Sequence, residues 1–166
     1  MATPGTVSLA TPRWNGAVNP AYANPRPEVV PLVPSHHRRV LDIGCSTGHL
    51  GAVLRERDQL VTGIELDPDL VAEARTRLDA VIDADVEQLA DRGVDLGEPF
   101  DCVVLADVLE HLRDPWKVVR WVDTQLAPGG SVVISVPNVG NLQTLWALLV
   151  RRRWPYKPVG IFDRTH

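Results

Sequence analysis

From Arg39 to Val136 the chain alternates short apolar runs with longer amphipathic stretches, and no other pattern in its 166 residues restricts the fold so tightly. The runs are Val40 to Ile43, Leu60 to Ile64, Ala80 to Ala84, Cys102 to Ala106 and Ser131 to Val136. Near-continuous apolar runs of this length read as strands buried on both faces, and the stretches between them are long enough for crossover helices. Helices are predicted over Gly48 to Arg57, Pro68 to Leu78 and Pro115 to Leu126. The last two open with Asp-Pro, a capping side chain followed by a first-turn residue that needs no N–H. Pro128-Gly129-Gly130 predicts a turn ahead of the fifth strand. The expected fold is therefore α/β, with a mostly parallel sheet covered by helices on both faces.

Around this block the composition narrows the choices. Half of the 14 prolines lie between Pro4 and Pro34, so residues 1–21 are expected to form a flexible lead-in and residues 22–166 one domain. The net charge of −4 comes from scattered acids and bases, not from a one-sided basic face, so nucleic acid is not an expected partner. Cys45 and Cys102 lie in apolar segments without C-x-x-C spacing, which speaks against zinc or a disulfide framework and suits a reducing cytosol. No secretory leader is visible. The longest apolar run, Leu142 to Val150 interrupted by Gln143 and Thr144, falls short of the ~20 residues that span a bilayer, so the expectation is a soluble, cytoplasmic protein. A final helix is predicted from about Asn141 to Arg153, as a roof over a cleft rather than a membrane-resting element.

The first strand runs directly into Gly44-Cys-Ser-Thr-Gly48 and then a helix. Glycines there let the backbone pass close to a ligand, and the following helical turn presents unpaired N–H groups to an anion. The G-x-x-x-G spacing lacks the G-x-G-x-x-G of dinucleotide sites, and Asp42 would repel a pyrophosphate but suits an ammonium group. That combination favours S-adenosylmethionine (SAM) over NAD. Glu65, about 20 residues after the loop at the end of the second strand, is placed to accept from ribose hydroxyls. At the end of the third strand Asp83 and Asp85 face opposite ways, and Asp85, nearer the carboxyl end, is the candidate acceptor for an adenine amine, with Val86 covering the ring.

Val40-Leu-Asp-Ile-Gly-Cys, Val61-Thr-Gly-Ile-Glu-Leu-Asp-Pro, Phe100 to Pro115 and Leu126-Ala-Pro-Gly-Gly together resemble class I SAM-dependent methyltransferases, in the same order and over most of the chain. The ending from Arg153 to His166 is similar to a bacterial subgroup associated with polysaccharide and natural-product pathways. The resemblance implies a Rossmann-like, doubly wound sheet in the order 3-2-1-4-5. It places Asp42, Gly44, Cys45, Ser46 and Gly48 around the methionine end of SAM, Glu65 at the ribose, and Asp85 and Val86 at the adenine, with Leu66 and Ala106 as further cofactor-binding candidates. Ser46 stands where a glycine is commonest. Tyr22 resembles a segment that lies over the cofactor. The product form of the cofactor is S-adenosylhomocysteine (SAH).

The fourth strand delivers Ala106-Asp-Val-Leu-Glu-His111 to the same edge. Methyl transfer is an in-line displacement, so the protein mainly holds the acceptor atom opposite sulfur, and a hydroxyl acceptor must also lose a proton. His111 is the candidate general base, with Glu110 beside it. Asp107, Glu110 and His111 also have D-x-x-E-H spacing, which resembles the E-x-x-E-H metal cluster of some methyltransferases, with His166 a conceivable further ligand. The expected acceptor is a sugar-like or small molecule, O-methylated. Only five of the usual seven strands are readable, so a bare sheet edge and a homodimer formed through it are expected. The alternatives are a SAM-binding domain without turnover and a nicotinamide-dependent oxidoreductase.

Overall fold

The computed structural model describes residues 13–14, 17–18 and 24–138. Its centre is a parallel sheet of β1 (Arg39–Ile43), β2 (Leu60–Glu65), β3 (Ala80–Asp83), β4 (Phe100–Ala106) and β5 (Leu126–Ser135), in the spatial order β3-β2-β1-β4-β5. The connections are α1 (His49–Arg55), α2 (Pro68–Ala74), α3 (Val86–Arg92) and α4 (Pro115–Gln125). The chain steps outward from β1 to β3, crosses back to β4 beside β1, and continues to β5. The carboxyl ends of β1 and β4 thus flank the point where the winding reverses, and open α/β sheets take their ligands there.

Alternation along the strands sorts the core into two layers. Val40, Val61, Cys102, Val104 and Val133 pack with Leu50 and Leu54 of α1 and Ala74 of α2. Leu41, Ile43, Ile64, Val103 and Leu105 pack with Val86 and Ala90 of α3 and Val118, Trp121 and Val122 of α4. Each such burial contributes about 1.5–3 kcal/mol, which explains why the strands read as continuous apolar runs rather than polar-apolar alternation. Val29 and Val33 join the α1 layer, and so tie the segment before β1 to the sheet.

The Asp-Pro starts behave as capped helices. Asp67 accepts from the N–H of Asp69 and Leu70, and Asp114 accepts from Lys117. The structure departs from the sequence reading at several points. α2 stops at Ala74 rather than Leu78, and α1 at Arg55 rather than Arg57. α3 was not predicted at all, although Asp85 caps it and Gly93, at φ 60°, ends it. Pro128-Gly129-Gly130 does not precede β5 but lies within it. Phe100 pairs with Leu126 and Cys102 with Ser131, so the intervening residues bulge out of register, with Gly129 at φ 81°. Inside the expected lead-in, Arg13–Trp14 pairs antiparallel with Ala17–Val18. The predicted helix at 141–153, Tyr22 and His166 lie outside the described residues.

Candidate functional site

β1 opens into a loop whose conformation only certain residues tolerate. Gly44, Ser46 and Gly48 hold φ values of 69°, 52° and 80°. Gly44 and Cys45 both donate their N–H to Ile64 O, at 2.8 and 3.1 Å, which folds the loop onto the end of β2. A Cβ on Gly44 would come within 2.7 Å of Val108 Cγ2, so the loop after β1 and the loop after β4 touch at this glycine. Cys45 is buried, and burial pushes its thiol up, further helped by the charges of Asp42 and Glu65; it is a packing residue, not a nucleophile.

Asp42 lies within β1, directly across from Gly63 on β2 and Val104 on β4. It is 2% exposed and among the described residues its Oδ2 has no hydrogen-bond partner. Burial, then the negative charge of Glu65, push its carboxyl up to about 7, against the opposing charge of Arg26. A buried carboxylate oxygen without a partner costs stability, and a cation held at the loop is the partner its chemistry calls for.

Glu65 does more than point at the site. Its Oε2 accepts from Ser46 N at 2.9 Å, and its Oε1 from Leu66 N and Asp67 N at 2.8 and 3.0 Å. It therefore staples the glycine loop to the end of β2. A carboxylate has about four acceptor positions, and one on Oε2 remains for a hydroxyl. Asp85 is committed in part to α3, since Oδ1 caps Glu87 N at 2.8 Å and Oδ2 lies 3.5 Å from Gln88 Nε2. Val86 is almost wholly buried in the α3–α4 layer, so its side chain faces the core more than a ligand. Leu66, by contrast, is half exposed at the rim, and Ala106 ends β4.

Beyond β4 the sequence reading missed the residue that organises the loop. Arg26 Nη1 donates to Asp107 Oδ2 at 2.5 Å, Nη2 to Ser135 Oγ at 3.1 Å and Nε to Glu28 Oε1 at 2.6 Å. Ser135 Oγ in turn donates to Asp107 Oδ1 at 2.9 Å. Arg26 and Asp107 are both left-handed, at φ 51° and 56°. The only sequence signal is a cation between Pro25 and Pro27, four residues after Tyr22. Because Asp107 pays for a conformation that glycine adopts freely, Asp107→Ala is expected to lose about 1 kcal/mol more than Asp107→Gly in urea unfolding. Equal losses would show that the turn imposes no such constraint.

Glu110 and His111 lie in a 3-10 turn, Leu109–His111, that closes this loop. Among the described residues both carboxylate oxygens of Glu110 are buried without a partner, whereas His111 is exposed. The D-x-x-E-H spacing does not gather a ligand set. Asp107 is held by Arg26 and Ser135, and among the described residues no group of three or more His, Cys, Asp or Glu side chains is placed to hold a metal ion.

The Methyltransferase domain family model matches residues 17–162. The chain belongs to this family. Over 135 residues it is 32% identical to the ubiquinone biosynthesis O-methyltransferase of Pseudomonas entomophila, covering 80% of this chain and 57% of that protein. Among solved structures it resembles the SAM-bound amino pentose methyltransferase of calicheamicin biosynthesis from Micromonospora echinaspora, with TM-score 0.55, 30% identity, and 66% of this chain and 47% of that one covered. It also resembles a sugar N-methyltransferase from a Streptoalloteichus species, with TM-score 0.57, 31% identity, and 74% and 50% covered. The chain thus spans about half the length of the relatives it matches. Sheet order and family agree, and no helix among the described residues is long and apolar enough to cross a membrane.

Proposed function

We propose that this methyltransferase domain binds SAM across the carboxyl ends of β1, β2 and β4 and O-methylates a sugar-like or small-molecule acceptor in the cytoplasm. The observation that carries the reading is the partnerless Oδ2 of Asp42 beneath a loop of left-handed residues, a site built for a cationic group close to the backbone. SAM, when bound, supplies an electrophilic methyl carbon. Asp42 holds the ammonium of the methionine end, the loop from Gly44 to Gly48 follows its backbone, and Glu65 uses its remaining acceptor position on the ribose. Asp85, at the start of α3, reaches the adenine edge, and Leu66 lines it. Likeness to an O-methyltransferase of ubiquinone biosynthesis, an amino pentose methyltransferase and a sugar N-methyltransferase supports a small acceptor.

His111 takes the acceptor proton, because its exposure at the mouth of the site lets it meet a hydroxyl and return the proton to solvent. Glu110 precedes it in the same turn, with both carboxylate oxygens buried and unpartnered among the described residues. Homodimerisation through the β5 edge is part of this proposal, with Val132 and Ile134, 39% and 45% exposed, as the apolar surface near that edge.

The test is SAM turnover against a panel of sugars and small hydroxylated acceptors. His111→Ala is expected to lower turnover by about 100-fold or more while SAH still binds. Full turnover in that variant removes His111 as the base. SAH binding without turnover on any acceptor favours a binding domain.

A further inference from the structure

We infer that cofactor binding at this site expels one proton from Asp42, so that affinity for the cofactor falls as the solution becomes acidic. The inference rests on the SAM reading above and adds to it a dependence on proton concentration.

Among the described residues the geometry leaves Asp42 without a dedicated counter-ion. Its strand neighbours are Gly63 and Val104, which carry no charge. From β2 the nearest titratable group is Glu65, an acid already engaged by three backbone N–H groups. From the loop comes the Cys45 thiol, which burial and the charges of Asp42 and Glu65 keep protonated. Among the described residues the one cation acting on Asp42 is Arg26, and its guanidinium is spent on Asp107, Glu28 and Ser135. Oδ2 is left buried without a partner. In such a place the neutral acid is the cheaper form, consistent with a carboxyl pushed up to about 7 by burial first and by Glu65 second.

The ammonium group of the cofactor pairs only with the carboxylate. When it docks, the O–H bond of Asp42 breaks, the proton passes to the buffer, and the ion pair forms; nothing is oxidised or reduced. Below about pH 7 the binding-competent carboxylate is the minor form, and apparent affinity drops by its fraction, about ten-fold for each further pH unit. Above that pH the carboxylate is already present and affinity is level.

The experiment is calorimetric titration of the chain with SAH at about pH 6, 7 and 8, each in two buffers of different ionisation enthalpy. Close to one proton released at the acid end, close to none at the alkaline end, and roughly ten-fold tighter binding at pH 8 than at pH 6 are expected. In Asp42→Asn the binding is expected to be weaker and to lose its dependence on pH and on buffer. SAH binding with the same affinity throughout and no proton release overturns the inference and leaves the SAM reading standing. Proton release that persists in Asp42→Asn also overturns it, by assigning the proton to another group such as His111 or His49. If the folded chain binds no SAH at any pH, the SAM reading falls and the inference with it. Should Asp42→Asn not fold, Asp42→Ser takes its place with the same expected loss of pH and buffer dependence, and absence of proton release from the unaltered chain still overturns the inference.

Discussion

Asp42→Asn is expected to leave the chain more stable at pH 8 than the unaltered protein and, at the same time, to cost it most of its affinity for SAH. The stability half follows from where the carboxyl titrates. Holding it at about 7 instead of 3.8 costs about 4 kcal/mol, as an upper figure, whenever it is ionised. Between about pH 4 and 7 the folded chain binds a proton that the unfolded chain has released. Its stability therefore falls as pH rises through that window, and the whole penalty is present above it. Asparagine keeps the shape and carries no charge, so a gain of a few kcal/mol in urea unfolding at pH 8 is expected, shrinking towards zero near pH 4. The affinity half follows from the same burial, since an ammonium docked without its carboxylate loses about 3 kcal/mol, on the order of 100-fold in Kd. A variant that is less stable at pH 8, or one that binds SAH as tightly as before, contradicts the role given to this residue. Stability sacrificed at a ligand site is a common trade in enzymes.

The second large effect is expected at Gly44→Ala. At φ 69° an alanine costs about 1–2 kcal/mol in backbone strain, and its Cβ would stand 2.7 Å from Val108 Cγ2. The clash moves either the loop that follows β1 or the loop that carries Asp107, Glu110 and His111, and both belong to the proposed site. Loss of about 3 kcal/mol of stability and of about 100-fold in SAH affinity is expected, read by urea unfolding and calorimetry. Adding Val108→Ala removes the steric part and leaves the backbone part, so partial recovery of both quantities is expected. No recovery would mean that contact between the two loops is not what fixes Gly44.

The central strands β1, β2 and β4 were legible because burial on both faces writes them as nearly unbroken apolar runs, and the Asp-Pro pairs at Asp67 and Asp114 announced two helix starts. Other features were obscured by residues serving two purposes. Asp85 and Val86 had been assigned to a ligand, and this concealed that the same pair caps and begins α3. The glycines at 129 and 130 gave a correct signal for irregular backbone, but pairing with β4 on both sides of them turned the expected turn into a bulge inside β5. In the candidate site, the gathering of Asp42, Gly44 and Glu65 at one sheet edge was legible from spacing along one βαβ unit. The orphaned Oδ2 of Asp42 was not, because burial and missing partners are properties of three dimensions. Arg26 was missed for the same reason, since its partners Asp107 and Ser135 lie 81 and 109 positions away along the chain. Glu65 is expected at the ribose from its spacing, and the spacing gives no sign that its carboxylate holds Ser46 in its left-handed turn.

The measurement to make first is calorimetric titration of the folded chain at about pH 8 with SAH and, separately, with NADH. Saturable binding of one SAH per chain with a Kd on the order of micromolar, and no heat from NADH, is the predicted result. Binding of NADH with no response to SAH would contradict the assignment of Asp42 to an ammonium group, and with it the reading of this sheet edge as a SAM site.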